Sequence, residues 1–363
     1  MLQPPGRGEV LAHERGLYPR AQLHMTFQPP HCPNPACTAY SARPFLYRRK
    51  GSYRRRCDGR TVTRFVCLAC QRSFSSQTFR LDYRLHRPEL STRLFRLLTS
   101  KVTLRQSARV AGCNRKTVEH RLRLLGGHCQ AYQERELGQA QAKGGLRGVF
   151  QLDELETFEQ DRRLAPVSVP VLIERDSFFV LHATTAPLPA RGNLRPADQR
   201  RKAQRQAREG VRKSGSAQAV QGCWDVLAKL AAPQAPVEVA TDSKRQYRRQ
   251  LERTFGARLL HYRAHSSEPR VPGSLLFAIN HTLAQMRDGL SRLVRRNWGA
   301  SKKRERLELH QWLWMGWRNW VRGMTNKRRK LTPAMALGVA AAQLPVAELL
   351  RLRVFPGAFR PTQ

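Results

Sequence analysis

Acidic residues are scarce in this sequence. Its 363 residues include 26 Asp and Glu against 66 Lys and Arg, a formal charge of +40. So large a deficit excludes a basic partner and calls for a polyanion, usually nucleic acid. Lysine is scarce too, since 54 of the 66 cations are Arg. A planar guanidinium fork can hold two phosphate oxygens at once. A GC-rich codon bias accounts for Arg over Lys but not for the missing acids. Long apolar runs are absent, and no stretch approaches the ~20 residues that a membrane helix needs. The opening MLQPPGRGEVLAHERG lacks the apolar core of a secretory leader, so a cytoplasmic protein with no membrane partner is expected. Eight Cys in such a setting point to metal or free thiols rather than disulfides. With 40% hydrophobic residues the chain can build real cores, and its length allows two or three domains.

Five of the eight Cys lie between Cys32 and Cys70. Cys32-Pro-Asn-Pro-Ala-Cys37 and Cys67-Leu-Ala-Cys70 form two pairs whose four thiolates suit tetrahedral Zn²⁺. Between them Phe45-Leu-Tyr, Tyr53 and Thr61-Val-Thr-Arg-Phe-Val read as short strands, so residues 29–80 are expected to form a zinc ribbon. So small a core draws folding energy from its metal. His31 and Cys57 are candidate substitute ligands, and Arg72 begins a basic segment suited to phosphate. Residues 1–28 are Pro- and Gly-rich without periodicity and read as a disordered tail, with Met25 as an alternative start.

Residues 86–145 read as helical. Leu90, Leu94, Leu97 and Leu98 have helical spacing. Thr103 is placed to cap a second helix with Leu104, Ala108 and Val110 on its apolar side. Gly112 then makes a turn, and Asn114 caps a third helix. That helix is expected to expose Arg115, Lys116, Thr117, His120 and Arg121 and to bury Val118, Leu122 and Leu125. A short helix, a Gly turn and a basic helix suit helix-turn-helix docking in the major groove of DNA. Cys113 and Cys129 read as core, and the polar helix 126–147, ending at Gly144-Gly145, reads as a linker.

From residue 146 the pattern becomes strands alternating with helices. Gly148-Val-Phe-Gln-Leu-Asp153 opens the first strand, two hairpin-spaced strands follow, and a basic stretch runs from Pro187 to Ala219. After a helix, Pro236-Val-Glu-Val-Ala-Thr-Asp242 ends a fourth strand on an acid; a helix, a strand and a long helix over 272–296 complete the region. On that long helix Asn280 stands beside a stripe of Leu276, Ile279, Leu283, Met286, Leu290 and Leu293. This is the order of an α/β RNase H-like fold, in which the first and fourth strands are neighbours. Their acids there hold a pair of divalent metals about 4 Å apart for in-line phosphoryl displacement. Hard oxygen donors select Mg²⁺ or Mn²⁺. Asp153, Asp242 and Asn280 are the expected ligands, with Glu154, Glu156 and Glu268 nearby. Arg287, Arg292, Arg295 and Arg296 are expected to steady DNA phosphates. Trp312, Trp314, Trp317 and Trp320 read either as helix packing or as a base-stacking comb, and Lys327-Arg-Arg-Lys330 is a basic patch. Residues 301–363 are expected to be C-terminal helices with a basic tail.

The ordered combination resembles bacterial insertion-sequence transposases of the DDE class, near the insertion-sequence-one group. Asp153-Glu-Leu-Glu-Thr-Phe is similar to that family's first motif, Ala240-Thr-Asp242-Ser to its second, and Ile279-Asn-His with its basic tail to its third. The resemblance implies a multidomain chain: zinc ribbon, helix-turn-helix, and an RNase H-like catalytic domain over 146–300. It implies Mg²⁺-dependent cleavage and strand transfer at the ends of a mobile element, with no Ser or Tyr nucleophile. Pairing two ends implies at least a homodimer on double-stranded DNA, in the bacterial nucleoid. Where the family usually carries Glu, this chain has Asn280, which brings no charge. The alternatives are an inactive, transposase-derived DNA-binding regulator and a nuclease that cuts without joining.

Overall fold

The computed structural model describes residues 27–265, 267–269, 271–294 and 299–358. Apart from residues 27 and 28, the expected N-terminal tail lies outside them, as do Arg295 and Arg296.

The chain is mixed α/β, with one small antiparallel sheet and one larger mixed sheet. Strands β1 (Tyr47–Arg54), β2 (Thr61–Cys67) and β3 (Ser73–Ser75) form the small sheet in sequence order. Its core is aromatic: Phe45, Phe65, Phe74 and Phe79 are buried around Cys32, Cys37 and Cys67.

Three helices follow: α1 (Leu90–Leu98), α2 (Leu104–Ala111) and α3 (Arg115–Ala142). Thr103 caps α2 by accepting from the Gln106 backbone N–H, and Gln106 returns the bond in a capping box. Gly112 turns the chain at φ 61°, a left-handed conformation that costs Gly little. Asn114 then caps α3, accepting from Lys116 N–H at 2.8 Å. Val118, Leu122 and Leu125 are fully buried, as expected; on α2 Ala108 is buried and Leu104 packs on the same core, whereas Val110 is 48% exposed and Ala111 takes the inward place.

The helix expected over 126–147 is present as the continuation of α3 to Ala142, just before Gly144-Gly145, but it is packed against the core rather than a free linker. Its second half buries Cys129, Gln133 and Leu137. Gln133 reaches into the larger sheet, donating to the Val180 and Leu181 carbonyls at 2.9 and 3.0 Å. Counting polar residues there hid a stripe with helical period.

The larger sheet comprises β4 (Val149–Phe158), β5 (Pro166–Glu174), β6 (Val180–Ala183), β7 (Ala186–Pro187), β8 (Val237–Asp242) and β9 (Leu259–Ala264). Its order is β6-β5-β4-β8-β9, with β7 also on β5. The β4–β5 and β5–β6 pairs are antiparallel, and the β4–β8 and β8–β9 pairs parallel. From Val167 to Glu174 β5 is buried at every residue, as expected of a strand covered on both faces.

Helices α5 (Ser216–Leu230) and α6 (Arg245–Phe255) cover one face, burying Trp224, Leu227, Tyr247 and Leu251 against Phe150, Leu152 and Val239. Helix α7 (Phe277–Gly289) covers the other, burying Ile279, Leu283 and Met286 against Leu155, Val169 and Val171. Helix α4 (Pro196–Glu209) is inserted between β7 and α5. The long helix expected over 272–296 is shorter: α7 ends at Gly289, and a single 3-10 turn follows at Ser291–Leu293.

Helix α8 (Arg304–Trp320) is a scaffold rather than an appended extension. Trp320 joins the α5–α6 core, Trp312 and Trp314 join the α7 core, and Leu313 joins the α1–α3 core. Trp312, Trp314 and Trp320 are thereby buried as packing residues, while Trp317 is half-buried with Arg322 over its ring. Further on, Arg353 N–H donates to the Phe79 carbonyl at 2.8 Å, and Phe355 meets the His31 ring, so the C-terminal segment closes on the small sheet. Among the described residues no helix is long and apolar enough to cross a membrane.

Candidate functional site: an acidic cleft on the larger sheet and a four-cysteine cluster

Side chains alternate across a strand, so residues two apart share a face. Gln151, Asp153 and Leu155 therefore point to the α7 side of β4, while Phe150, Leu152 and Glu154 point to the α5–α6 side. On β8, Val237 and Val239 face α5–α6, which puts Asp242 on the α7 side with Asp153. The parallel register runs Val149↔Glu238, Phe150↔Val239, Gln151↔Ala240. Continued for two residues, it sets Asp153 beside Asp242, on strands about 4.8 Å apart.

Asp153, Asp242 and Asn280 line one cleft with His265, Glu268 and Ser274. Each acid is oriented locally. Asp153 Oδ1 accepts from Glu154 N–H at 2.7 Å, and Asp242 Oδ1 accepts from Lys244 N–H at 3.0 Å in the turn that ends β8. Asn280 Nδ2 donates to the Leu276 carbonyl at 2.9 Å, so its Oδ1 is the end left for a ligand. Glu268 Oε1 accepts from His265 N–H at 2.7 Å, in the loop between β9 and α7.

Gln151 was not foreseen. It is fully buried; its Nε2 donates to the Leu275 carbonyl at 2.6 Å and its Oε1 accepts from Ile279 N–H at 2.9 Å. One amide thereby clamps the start of α7 to β4, two residues from Asp153 and one from Asn280. The available signal was a polar residue on the same face as Asp153, set between Phe150 and Leu152 in the apolar opening of the strand.

Glu154 lies behind the cleft, on the other face. Its carboxylate accepts from Ser168 Oγ at 2.7 Å and Tyr247 OH at 2.8 Å, and also from Ser216 Oγ and Lys244 Nζ. Burial alone would raise its pKa, but these donors outweigh burial and hold it below the usual carboxylate range. Burial, together with the charges of Glu154, Asp242 and Asp153, keeps the Tyr247 phenol protonated. Glu156 is on the surface, paired with Arg191 at 2.8 Å.

The sulfurs of Cys32, Cys37, Cys67 and Cys70 all lie within 4.8 Å of one another. Cys32 Sγ and Cys70 Sγ are 3.6 Å apart, and Cys37 Sγ and Cys67 Sγ 3.8 Å. A zinc–sulfur bond of about 2.3 Å requires edges of roughly 3.8 Å in a tetrahedron, so the four thiols can hold a metal such as zinc. Burial opposes ionisation of Cys70, yet the Arg72 backbone N–H, the Asn34 side chain and the neighbouring thiols bring it down to about 7. Burial pushes Cys32 up. The substitute ligands are not needed. Cys57 is exposed and donates to the Leu85 carbonyl, and His31 packs against Tyr40, Phe79 and Phe355.

At the start of α3, Arg115, Lys116 and His120 are exposed and Thr117 is half-buried. Arg121 corrects the expectation of an exposed cation: it is 4% exposed and donates to the Arg87 carbonyl at 3.1 Å. It lies one residue before Leu122 and three after Val118, on the buried flank. Arg292 is buried likewise, with Nη1 donating to Ser301 Oγ at 2.9 Å; it braces the end of α7 instead of facing solvent. Arg287 is half-buried. Comparison with models of known families and with curated proteins found no match to this chain.

Proposed function

We propose that the chain is a DDE-class DNA transposase whose larger sheet is an RNase H-like catalytic unit. The observation that carries this reading is the cleft in which Asp153 and Asp242, from neighbouring parallel strands, meet Asn280 of α7. Three antiparallel strands followed by two parallel ones agree with it. Two carboxylates and an amide oxygen are hard donors suited to Mg²⁺ or Mn²⁺, and two like charges side by side favour a cation between them. Asp153, Asp242 and Asn280 would hold such ions, which would supply electrostatic stabilisation for displacement at a phosphodiester. Asp153 and Asp242 hold the charge, while Asn280 adds a neutral oxygen and no base. Gln151 keeps Asn280 in register with Asp153. The four-Cys unit, with zinc, and the start of α3 bind the element's terminal repeats, with Arg115, Lys116 and His120 toward the DNA.

The test is incubation of the full chain with Mg²⁺ and duplex DNA flanking its gene. Strands cut to a 3′-OH and joined to a target support the reading. Cutting without joining supports the nuclease. Tight binding without cutting, in Mg²⁺ or Mn²⁺, supports the regulator, which the uncharged Asn280 favours.

A further inference from the structure

We infer that the insertion carrying α4 is a second DNA-contacting surface, one that grips phosphates of the duplex being cut; this rests on the reading proposed above. The segment 191–213 contains nine Lys and Arg but two acids, Asp198 and Glu209. An ordinary solvated helix interleaves signs at i,i+4 spacing, which relieves self-repulsion. Here only two acids answer nine cations, Asp198 buried and Glu209 on the surface. Asp198 pairs with Arg163 and Arg201, and Glu209 with Arg205 and Arg208. On the sheet, Glu156 holds Arg191 and Glu159 holds Arg212, which fasten the insertion to the end of β4.

Arg195, Arg200, Lys202 and Lys213 make no ion pair among the described residues. Lys202 and Lys213 line, with Arg205, Arg212 and Arg304, a groove of about 340 Å³ in which Glu209 is the one acid. So many cations around so few acids are complementary to a regular row of phosphates, which duplex DNA supplies. The place fits too. Arg212, which lines the groove, pairs at 2.8 Å with Glu159, six residues beyond Asp153 and on the same face by alternation, about 20 Å along the chain. A duplex seated in the cleft passes the insertion within one helical turn.

The experiment compares the full native chain with the combined Arg195→Ala, Arg200→Ala, Lys202→Ala, Lys213→Ala variant on duplex DNA flanking the gene. Binding is measured by fluorescence anisotropy from 50 to 300 mM KCl. Losing four phosphate contacts should flatten the plot of log K against log[salt] by about 3.6. In the native chain, bound duplex should protect Lys202 and Lys213 from acetylation by an N-hydroxysuccinimide ester. An unchanged slope, or lysines equally reactive with and without DNA, overturns the inference. If the native chain cuts DNA while the variant keeps its slope, the inference alone fails. If the variant loses slope but the native chain never cuts, the proposed function fails and the surface stands.

Discussion

Helices α3 and α8 approach so closely at Gly126 that no side chain fits between them. A Cβ added there would lie 2.3 Å from the Leu309 carbonyl oxygen and 2.9 Å from its carbon, where ordinary contact begins at 3.4 Å. Gly126→Ala must therefore part the helices by about 1 Å, and overpacking of this kind costs about 1–3 kcal/mol. The upper end applies, because the obstacle is backbone in a buried helix. Gly138→Ala makes the same chemical change in the same helix with nothing within 4 Å of the new Cβ. Both variants gain about 1 kcal/mol of helix propensity. The difference between them isolates the clash: Gly138→Ala should be more stable than native by up to about 1 kcal/mol and Gly126→Ala less stable by about 2. Urea unfolding followed by Trp fluorescence reads this, since Trp314 and Trp320 are buried beside the helix pair. Equal midpoints for the two variants would refute the close packing of α3 on α8. With it would fall the attachment of α3 to the rest of the chain through α8.

Cys67→Ser should reduce bound zinc from one per chain to near none by atomic absorption, with loss of hydrogen-exchange protection in β1–β3; full zinc content would contradict the four-thiol site. His128 and His310 are buried, donate Nε2–H to the Leu349 and Leu98 carbonyls, and are lowered by burial to about 4 and about 3. The unfolded chain gains their protons below about pH 6.5 and the folded chain does not, so stability should fall as pH drops through 6.5 toward 4, by about 1.4 kcal/mol per pH unit for each ring. His310→Gln should flatten that slope in urea melts between pH 7 and pH 5; an identical slope would place the ring in contact with water. Glu154→Gln removes the charge facing Lys244 and should cost about 1–3 kcal/mol. Because the folded pKa of Glu154 is depressed, its contribution is present at neutral pH and lost as pH falls below the ordinary carboxylate range, so the cost should vanish in acid.

Much of this architecture was legible in local pattern. Thr103, Gly112 and Asn114 mark helix ends by chemistry that acts within three residues, and the structure uses all three. The Cys spacing announced a cluster because thiols that converge must be brought there by turns. Period-two alternation placed Asp153 and Asp242 on strands, and the topology makes those strands neighbours. What stayed hidden depends on long-range packing. Arg121 and Arg292 look like DNA contacts in any sequence reading, but partners 34 and 9 residues away draw them inward. The span 126–147 looks polar, yet its few apolar residues, with Gln133, fall on one stripe that α8 and the sheet cover. Gln151 gave a local signal, a polar residue between Phe150 and Leu152, but only its partners 124 and 128 residues on reveal it as the clamp of the cleft.

The central claim is that Asp153 and Asp242 jointly hold the ions for DNA cleavage. The most direct measurement is Mg²⁺-dependent cutting of the flanking duplex by the native chain, Asp153→Ala and Asp242→Ala, with DNA binding measured in parallel. The account predicts cutting by the native chain, loss of at least a thousandfold in each variant, on the order of the largest single electrostatic contributions in enzymes, and unchanged binding. Cutting that survives either substitution would contradict it.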